Sequence, residues 1–191
     1  MSDDKQIDIE FDDHIDVARQ TKVVMVDHIA KAGSKCLECI SEGGKIILFG
    51  NGGSASDAQH IAAEFVGRYK KERRGLPAIS LATDTSALTA IGNDYGFDRI
   101  FVRQIEALGS AGDIAIAIST SGNSANVIKA VTAAKSLGMT VIGLSGRDGG
   151  ELKKVCDINL VVPSNITARI QEMHILIGHI ICQIVDDGII D

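Results

Sequence analysis

Lys45-Ile46-Ile47-Leu48-Phe49-Gly50-Asn51-Gly52-Gly53-Ser54-Ala55-Ser56 decides the fold. A short apolar run that stops at a glycine reads as a buried strand, and the glycine-rich turn after it opens a helical pattern near Ser54. The same texture recurs downstream. Ala78 to Ala82, Asp113 to Ser119, Thr140 to Ser145 and Ile158 to Val162 join Lys45 to Gly50 as five candidate buried strands. Helical patterns begin between and after them, near Ser54, Ser86, Phe97, Ser124, Gly149 and Thr167. Alternating strands and helices predict an α/β fold, a three-layer α/β/α sandwich around a five-stranded, mainly parallel sheet. Pro77 just precedes a predicted strand and Pro163 just follows one, where proline does least harm to a ladder.

Upstream, apolar residues recur at helical spacing from Ile7 to Ser41, for example Val17, Val24, Ile29 and Leu37, with Gly33 as a break between two helices. Residues 1–41 are thus expected to form a helical arm whose apolar stripe packs against other copies, and residues 42–191 the α/β core of a single domain. At 191 residues and 45% hydrophobic content, one full core is what the chain can bury. The formal charge of −6 gives no field for a nucleic-acid backbone or an anionic membrane. The acidic start, Met1 to Asp13, lacks a secretory pattern, and His179 and Gln183 break the late apolar stretch from Ile175 to Val185. Four cysteines without secretory context suit a reducing cytoplasm, and Cys36 and Cys39, a CxxC pair with no second pair, read as buried small residues.

In such sheets ligands bind beyond the carboxyl ends of the strands, at helix N-termini with free N–H groups. Two turns there invite an anion. Gly50-Asn51-Gly52-Gly53-Ser54-Ala55-Ser56 is open to a phosphate or a polyol; it also fits a loose GxGxxA pattern, although Asp84 stands too far along for the ribose partner of a dinucleotide. Ser119-Thr120-Ser121-Gly122-Asn123-Ser124 sets four hydroxyls before a helix, a cradle for a phosphate monoester that needs no cation. The plainer readings are a tight strand-to-helix turn for the first and an N-cap at Ser124 for the second. Among ionisable groups, His60 and Glu64 share a helix face, about 6 Å apart along the axis. One ligand or metal could touch both, or they could be a solvated surface pair. Gln171 and His179 lie about 12 Å apart along the last helix on nearly the same side.

Taken together, Gly50-Asn51-Gly52-Gly53-Ser54, Ala63-Glu64, Gly67-Arg68-Tyr69, Gly92-Asn93-Asp94, Ser119 to Ser124 and Arg169-Ile170-Gln171-Glu172 resemble, in type and order, the phosphoheptose isomerase family of sugar isomerase (SIS) domains. The resemblance covers nearly the whole chain and implies conversion of sedoheptulose 7-phosphate to D-glycero-D-manno-heptose 7-phosphate, the entry to bacterial heptose synthesis for lipopolysaccharide. It implies Asn51, Gly52, Gly53 and Ser54 around the sugar phosphate, Asn93, Asp94 and Gln171 on the substrate, and Ser119, Thr120, Ser121 and Ser124 on the phosphate. It further implies Glu64 and His179 as the proton-transfer pair, one zinc ion per subunit on His60, Glu64, Gln171 and His179, and a homotetramer with active sites between subunits. Thr167-Ala168 departs from the acidic residue that some members carry before the arginine. Two other functions compete on the same fold. A non-enzymatic SIS protein that binds a replication initiator would not need Glu64 and His179, and a phosphosugar-sensing regulator would carry a DNA-binding segment that the acidic arm does not supply.

Overall fold

The computed structural model describes residues 3–189. Five strands, β1 (Ile46–Gly50), β2 (Ala78–Ser80), β3 (Ile114–Ser119), β4 (Thr140–Gly146) and β5 (Ile158–Val162), form one sheet in the order β2-β1-β3-β4-β5. All four ladders are parallel; β1 and β3 pair from Ile46 opposite Ile114 to Gly50 opposite Ile118. The helices are α1 (Asp3–Ser41), α2 (Gly53–Val66), α3 (Thr85–Tyr95), α4 (Val102–Leu108), α5 (Ala125–Ser136), α6 (Leu152–Val155) and α7 (Thr167–Gly188), with a 3₁₀ turn at Phe97–Arg99. The expected strands and three layers are present. The pattern expected to begin near Gly149 becomes helical only at Leu152, because Gly149 and Gly150 hold the positive φ values of a turn, 92° and 54°.

Alternate residues of the central strands feed two separate apolar cores. Ile46, Leu48, Ile114, Ile116 and Ile142 meet α1, α2 and α7 on one face. Ile47, Phe49, Ala115, Ala117 and Val141 meet α4, α5 and α6 on the other. Both faces are therefore covered, as a parallel sheet requires.

The arm differs from expectation in two ways. It is one continuous helix of 39 residues, and Gly33 does not break it. A Cβ on Gly33 would lie 2.5 Å from Ile184 Cδ1, so the glycine is the notch that seats α1 against α7. Helical hydrogen bonding continues through such a residue at a cost of about 1 kcal/mol, which packing readily offsets. Secondly, the buried row of α1 runs through Thr21, Met25, Ile29, Ala32, Cys36 and Ile40, leaving Val24 54% exposed. Cys36 and Cys39 are free and buried, and burial pushes the Cys39 thiol up to about 11, which suits inert packing. Among the described residues no helix is long and apolar enough to cross a membrane.

Candidate active site

The strand order creates the site. α2 leaves β1 toward one face of the sheet, and α5 leaves β3, its neighbour, toward the other. A crevice opens between the carboxyl ends of such a strand pair, the topological switch point at which α/β sheets bind ligands. Both loops singled out in the sequence border it. Asn51 Nδ2 donates to Asn126 Oδ1 and Asn126 Nδ2 to Asn51 Oδ1, both at 2.8 Å, tying the β1 turn to the head of α5.

On the β3 side the hydroxyls converge. Ser119 Oγ lies 2.9 Å from Ser124 Oγ and 3.5 Å from Ser121 Oγ, while Ser121 Oγ accepts from Asn123 N at 3.1 Å. Ser124 occupies the N-cap position, yet its side chain makes no capping hydrogen bond. The plain N-cap role is therefore unfilled; Val127 N donates to Asn126 Oδ1 at 3.0 Å, and the earlier donors of the first turn, Ala125 N and Asn126 N, remain for an anion. The turn after β4 backs this loop: Leu152 N donates to Gly122 O at 3.0 Å and Glu151 N to Asn123 Oδ1 at 3.0 Å. On the β1 side Gly52 and Gly53 are exposed, Asn51 is half-buried and Ser54 is buried under the turn, while Thr120 on the β3 side is half-buried.

Away from the crevice α2 runs beside α7 in the same direction. Gln171 packs its amide where a Gly53 Cβ would stand, and a Cβ on Gly178 would lie 2.4 Å from Ile61 Cδ1. That missing side chain lets the helices close up and brings the next residue, His179, onto His60. His179 Nε2 lies 3.4 Å from His60 Nε2, and His60 Nε2 lies 3.3 Å from Glu64 Oε1. Tyr69 stacks on His179, ring centroids 5.6 Å apart and planes inclined by 26°.

These three side chains offer ligand atoms within 4.8 Å of one another. Donors held about 2.0–2.1 Å from a tetrahedral zinc ion stand roughly 3.3–3.4 Å apart, so both measured separations match edges of that tetrahedron. Two imidazoles and one carboxylate also form a donor set typical of catalytic zinc, which leaves a fourth position open. Gln171, expected in the same set, stands beside Gly53 instead, about 12 Å of helix rise from His179.

Asn93 and Asp94 sit near the end of α3, exposed and joined to each other by Asn93 Nδ2 donating to Asp94 Oδ1 at 2.8 Å; no hydrogen bond links either to the two loops. Asp84 caps α3 by accepting from Ala87 N at 2.9 Å.

Sequence reasoning missed two site residues. Asn126 could have been found: its neighbours Val127, Ala130 and Val131 are core, so the helical period buries it, and a buried amide must be paired. Asp57, one turn before His60, has a carboxyl pushed up to about 6 by burial, with His60 opposing, and its Oδ2 is buried without a partner. Nothing in the local sequence distinguishes Asp57 from a surface carboxylate.

Residues 11–146 match a family model described as SIS domain. A phosphoheptose isomerase of Aliarcobacter butzleri is 61% identical over 178 residues, 93% of this chain and 94% of that one. Among solved structures, the phosphoheptose isomerase of Neisseria gonorrhoeae superposes with a TM-score of 0.92 at 47% identity, covering 97% of this chain and all of that one. That of Francisella tularensis superposes with a TM-score of 0.95 at 40% identity, over 98% and 100% of the two chains.

Proposed function

The chain belongs to the phosphoheptose isomerases of the SIS domain family, and from that membership we propose the roles its residues take in converting sedoheptulose 7-phosphate to D-glycero-D-manno-heptose 7-phosphate. The observation that carries the reading is the meeting of His60, Glu64 and His179 on two helices, one of which starts at the phosphate-type crevice. A binding protein of the same fold would have no use for a carboxylate and an imidazole held together on the helix that opens at that crevice, and that alternative is not favoured.

The phosphate rests on Ser119, Thr120, Ser121 and Ser124 and on the first backbone N–H groups of α5, with Asn51, Gly52, Gly53 and Ser54 closing the opposite wall. Helix-terminal donors and hydroxyls suffice for a phosphate monoester, and no lysine or arginine is needed in the loop. Asn93 and Asp94 reach sugar hydroxyls in a neighbouring subunit, and Gln171 contacts the chain beside Gly53. Glu64 carries the carbon-bound proton from C1 of the ketose to C2 of the aldose. His179 moves the hydroxyl proton from O1 to O2 across the enediol, so that atoms and charge balance without a redox partner. His60, Glu64 and His179 would hold one zinc ion, which supplies Lewis-acid polarisation of the carbonyl or hydroxyl oxygens.

The same proposal includes a homotetramer. Phe11 is 65% and Val23 84% exposed on α1, apolar surface that further copies would cover. We read the compartment as cytoplasmic, where the four free cysteines stay reduced. Light scattering on the eluting protein is expected to give four times the chain mass of 20.2 kDa, and a stable monomer would contradict this assembly.

The decisive test is chelator-stripped protein incubated with sedoheptulose 7-phosphate, with and without zinc, and followed by NMR. Zinc-dependent appearance of the manno-heptose 7-phosphate is expected, with none from a folded Glu64→Gln variant. Full turnover by Glu64→Gln would remove Glu64 from the proton transfer.

A further inference from the structure

The segment between α2 and β2, residues 67–77, has no regular structure, yet it carries Tyr69, whose ring lies on His179. One buried carboxylate holds it. Asp186 Oδ2 accepts from Lys70 N and Lys71 N, both at 2.9 Å, and its Oδ1 accepts from Arg73 Nε at 2.5 Å. The Arg73 guanidinium also reaches the end of α2, where Nη2 donates to Glu64 O and Nη1 to Phe65 O, each at 3.0 Å, and Nη1 donates to Arg74 O at 3.0 Å as well. The side chains of Arg73 and Asp186 are 2% and 0% exposed.

A buried ion pair is weak evidence for stability as such, because apolar residues of like volume serve as well. What this one does is join three points. It fixes the last turn of α2, which bears Glu64; it fixes the backbone on either side of Lys70, next to Tyr69; and it does so from Asp186, two helical turns beyond His179 on the same side of α7. Its bonds thus hold the carboxylate helix, the imidazole helix and the ring that backs the imidazole in one frame. His60 stands edge-on to His179, centroids 5.0 Å apart at 76°, so the imidazole packs against two rings.

We propose that Tyr69 is a positioning residue for the isomerisation, stacked on His179 to fix the plane of its ring, and that the Arg73–Asp186 pair holds Tyr69 there. This rests on the reading of His179 as a proton-transfer group. The flat face of the Tyr69 ring does the positioning, and its hydroxyl takes no part. Misplacing a catalytic group by an ångström can cost about a hundredfold in rate while leaving substrate binding alone.

The test combines kinetics with a ring-current probe on the oligomer as purified. The His179 ring-proton resonance, assigned by its loss in His179→Gln, is displaced by the face of Tyr69. Tyr69→Phe is expected to keep that displacement and to keep kcat within about twofold. Tyr69→Ala is expected to abolish the displacement and to lower kcat by about ten- to a hundredfold, with KM within about threefold. Arg73→Lys, which keeps the charge but not the reach to Glu64 O and Phe65 O, is expected to move the resonance in the same direction as Tyr69→Ala; should it fail to fold, Tyr69→Ala decides alone. Unchanged kcat in folded Tyr69→Ala, or a loss confined to KM, would overturn the positioning role. Full turnover by His179→Gln would instead overturn the reading on which it rests.

Discussion

Gly122, inside the hydroxyl loop, has φ of 67°, and a Cβ there would lie 2.1 Å from Gly149 O and 2.5 Å from Gly149 C. Gly43, just beyond α1, has φ of 83° and nothing within 4 Å of the same added atom. The pair separates two costs. Gly43→Ala carries only the left-handed backbone penalty, about 1–2 kcal/mol. Gly122→Ala carries that and an overpacking term of about 1–3 kcal/mol, because the obstructing atoms are backbone and no side-chain rotation relieves them. The opposing turn is itself pinned by Leu152 N donating to Gly122 O, so the loop must open. Urea unfolding of both variants should show Gly122→Ala less stable than Gly43→Ala by about 1–3 kcal/mol. Its KM for the sugar phosphate should also rise by about tenfold or more, since Ser121 and Ser124 flank the displaced residue, while Gly43→Ala keeps the parent KM. Equal losses of stability, or an unaltered KM in Gly122→Ala, would refute a phosphate loop braced against the β4 turn.

Gly33→Ala tests the notch between α1 and α7. An exposed helical site would gain about 1 kcal/mol from alanine, but here the added methyl meets Ile184 Cδ1 at 2.5 Å and its Cβ at 3.0 Å, so a net loss of about 1 kcal/mol is expected by urea unfolding. A stabilised Gly33→Ala would show that α1 does not rest on Ile184 through this notch. His174 is buried, its Nε2–H donates to Ser145 O at 3.1 Å, and burial lowers its pKa to about 4. The neutral ring is therefore the folded form: this contribution is complete above the unfolded value of about 6.5 and is lost as pH falls toward 4, on the order of 3 kcal/mol in all. His174→Gln should flatten the pH dependence of stability between those limits, and an unchanged slope would assign it to other groups.

The strands were legible because each is a short, mostly apolar run, the first four closed by glycine or serine and β5, interrupted only by Asn159, stopped at Pro163, a pattern that depends on no distant residue. The phosphate loop was legible for the same reason, since Ser119 to Ser124 are neighbours in sequence as in space. What failed was whatever depends on fit between remote segments. Gly33 looks like a helix break until Ile184 is placed against it, and Val24 looks like core until Met25 and Ile29 define which side of α1 faces α7. His179 touches His60, 119 residues away, because Gly178 admits Ile61, a complementarity that no single helix reveals. Asp57 is set apart by the water it has lost, and burial of one carboxylate is invisible in a string of letters.

The sheet keeps the two halves of this chemistry in different neighbourhoods. Side chains behind Glu64 and His179 belong to the core with α1, α2 and α7, whereas those behind the phosphate loop belong to the core with α4, α5 and α6. Drift in one core can retune the rate of the chemical step while affinity for the phosphate handle stays put, and drift in the other can do the reverse. A lineage exploring new sugars can thus change how it grips and how it reacts one at a time, with the Asn51–Asn126 amide pair as a seam between the two histories.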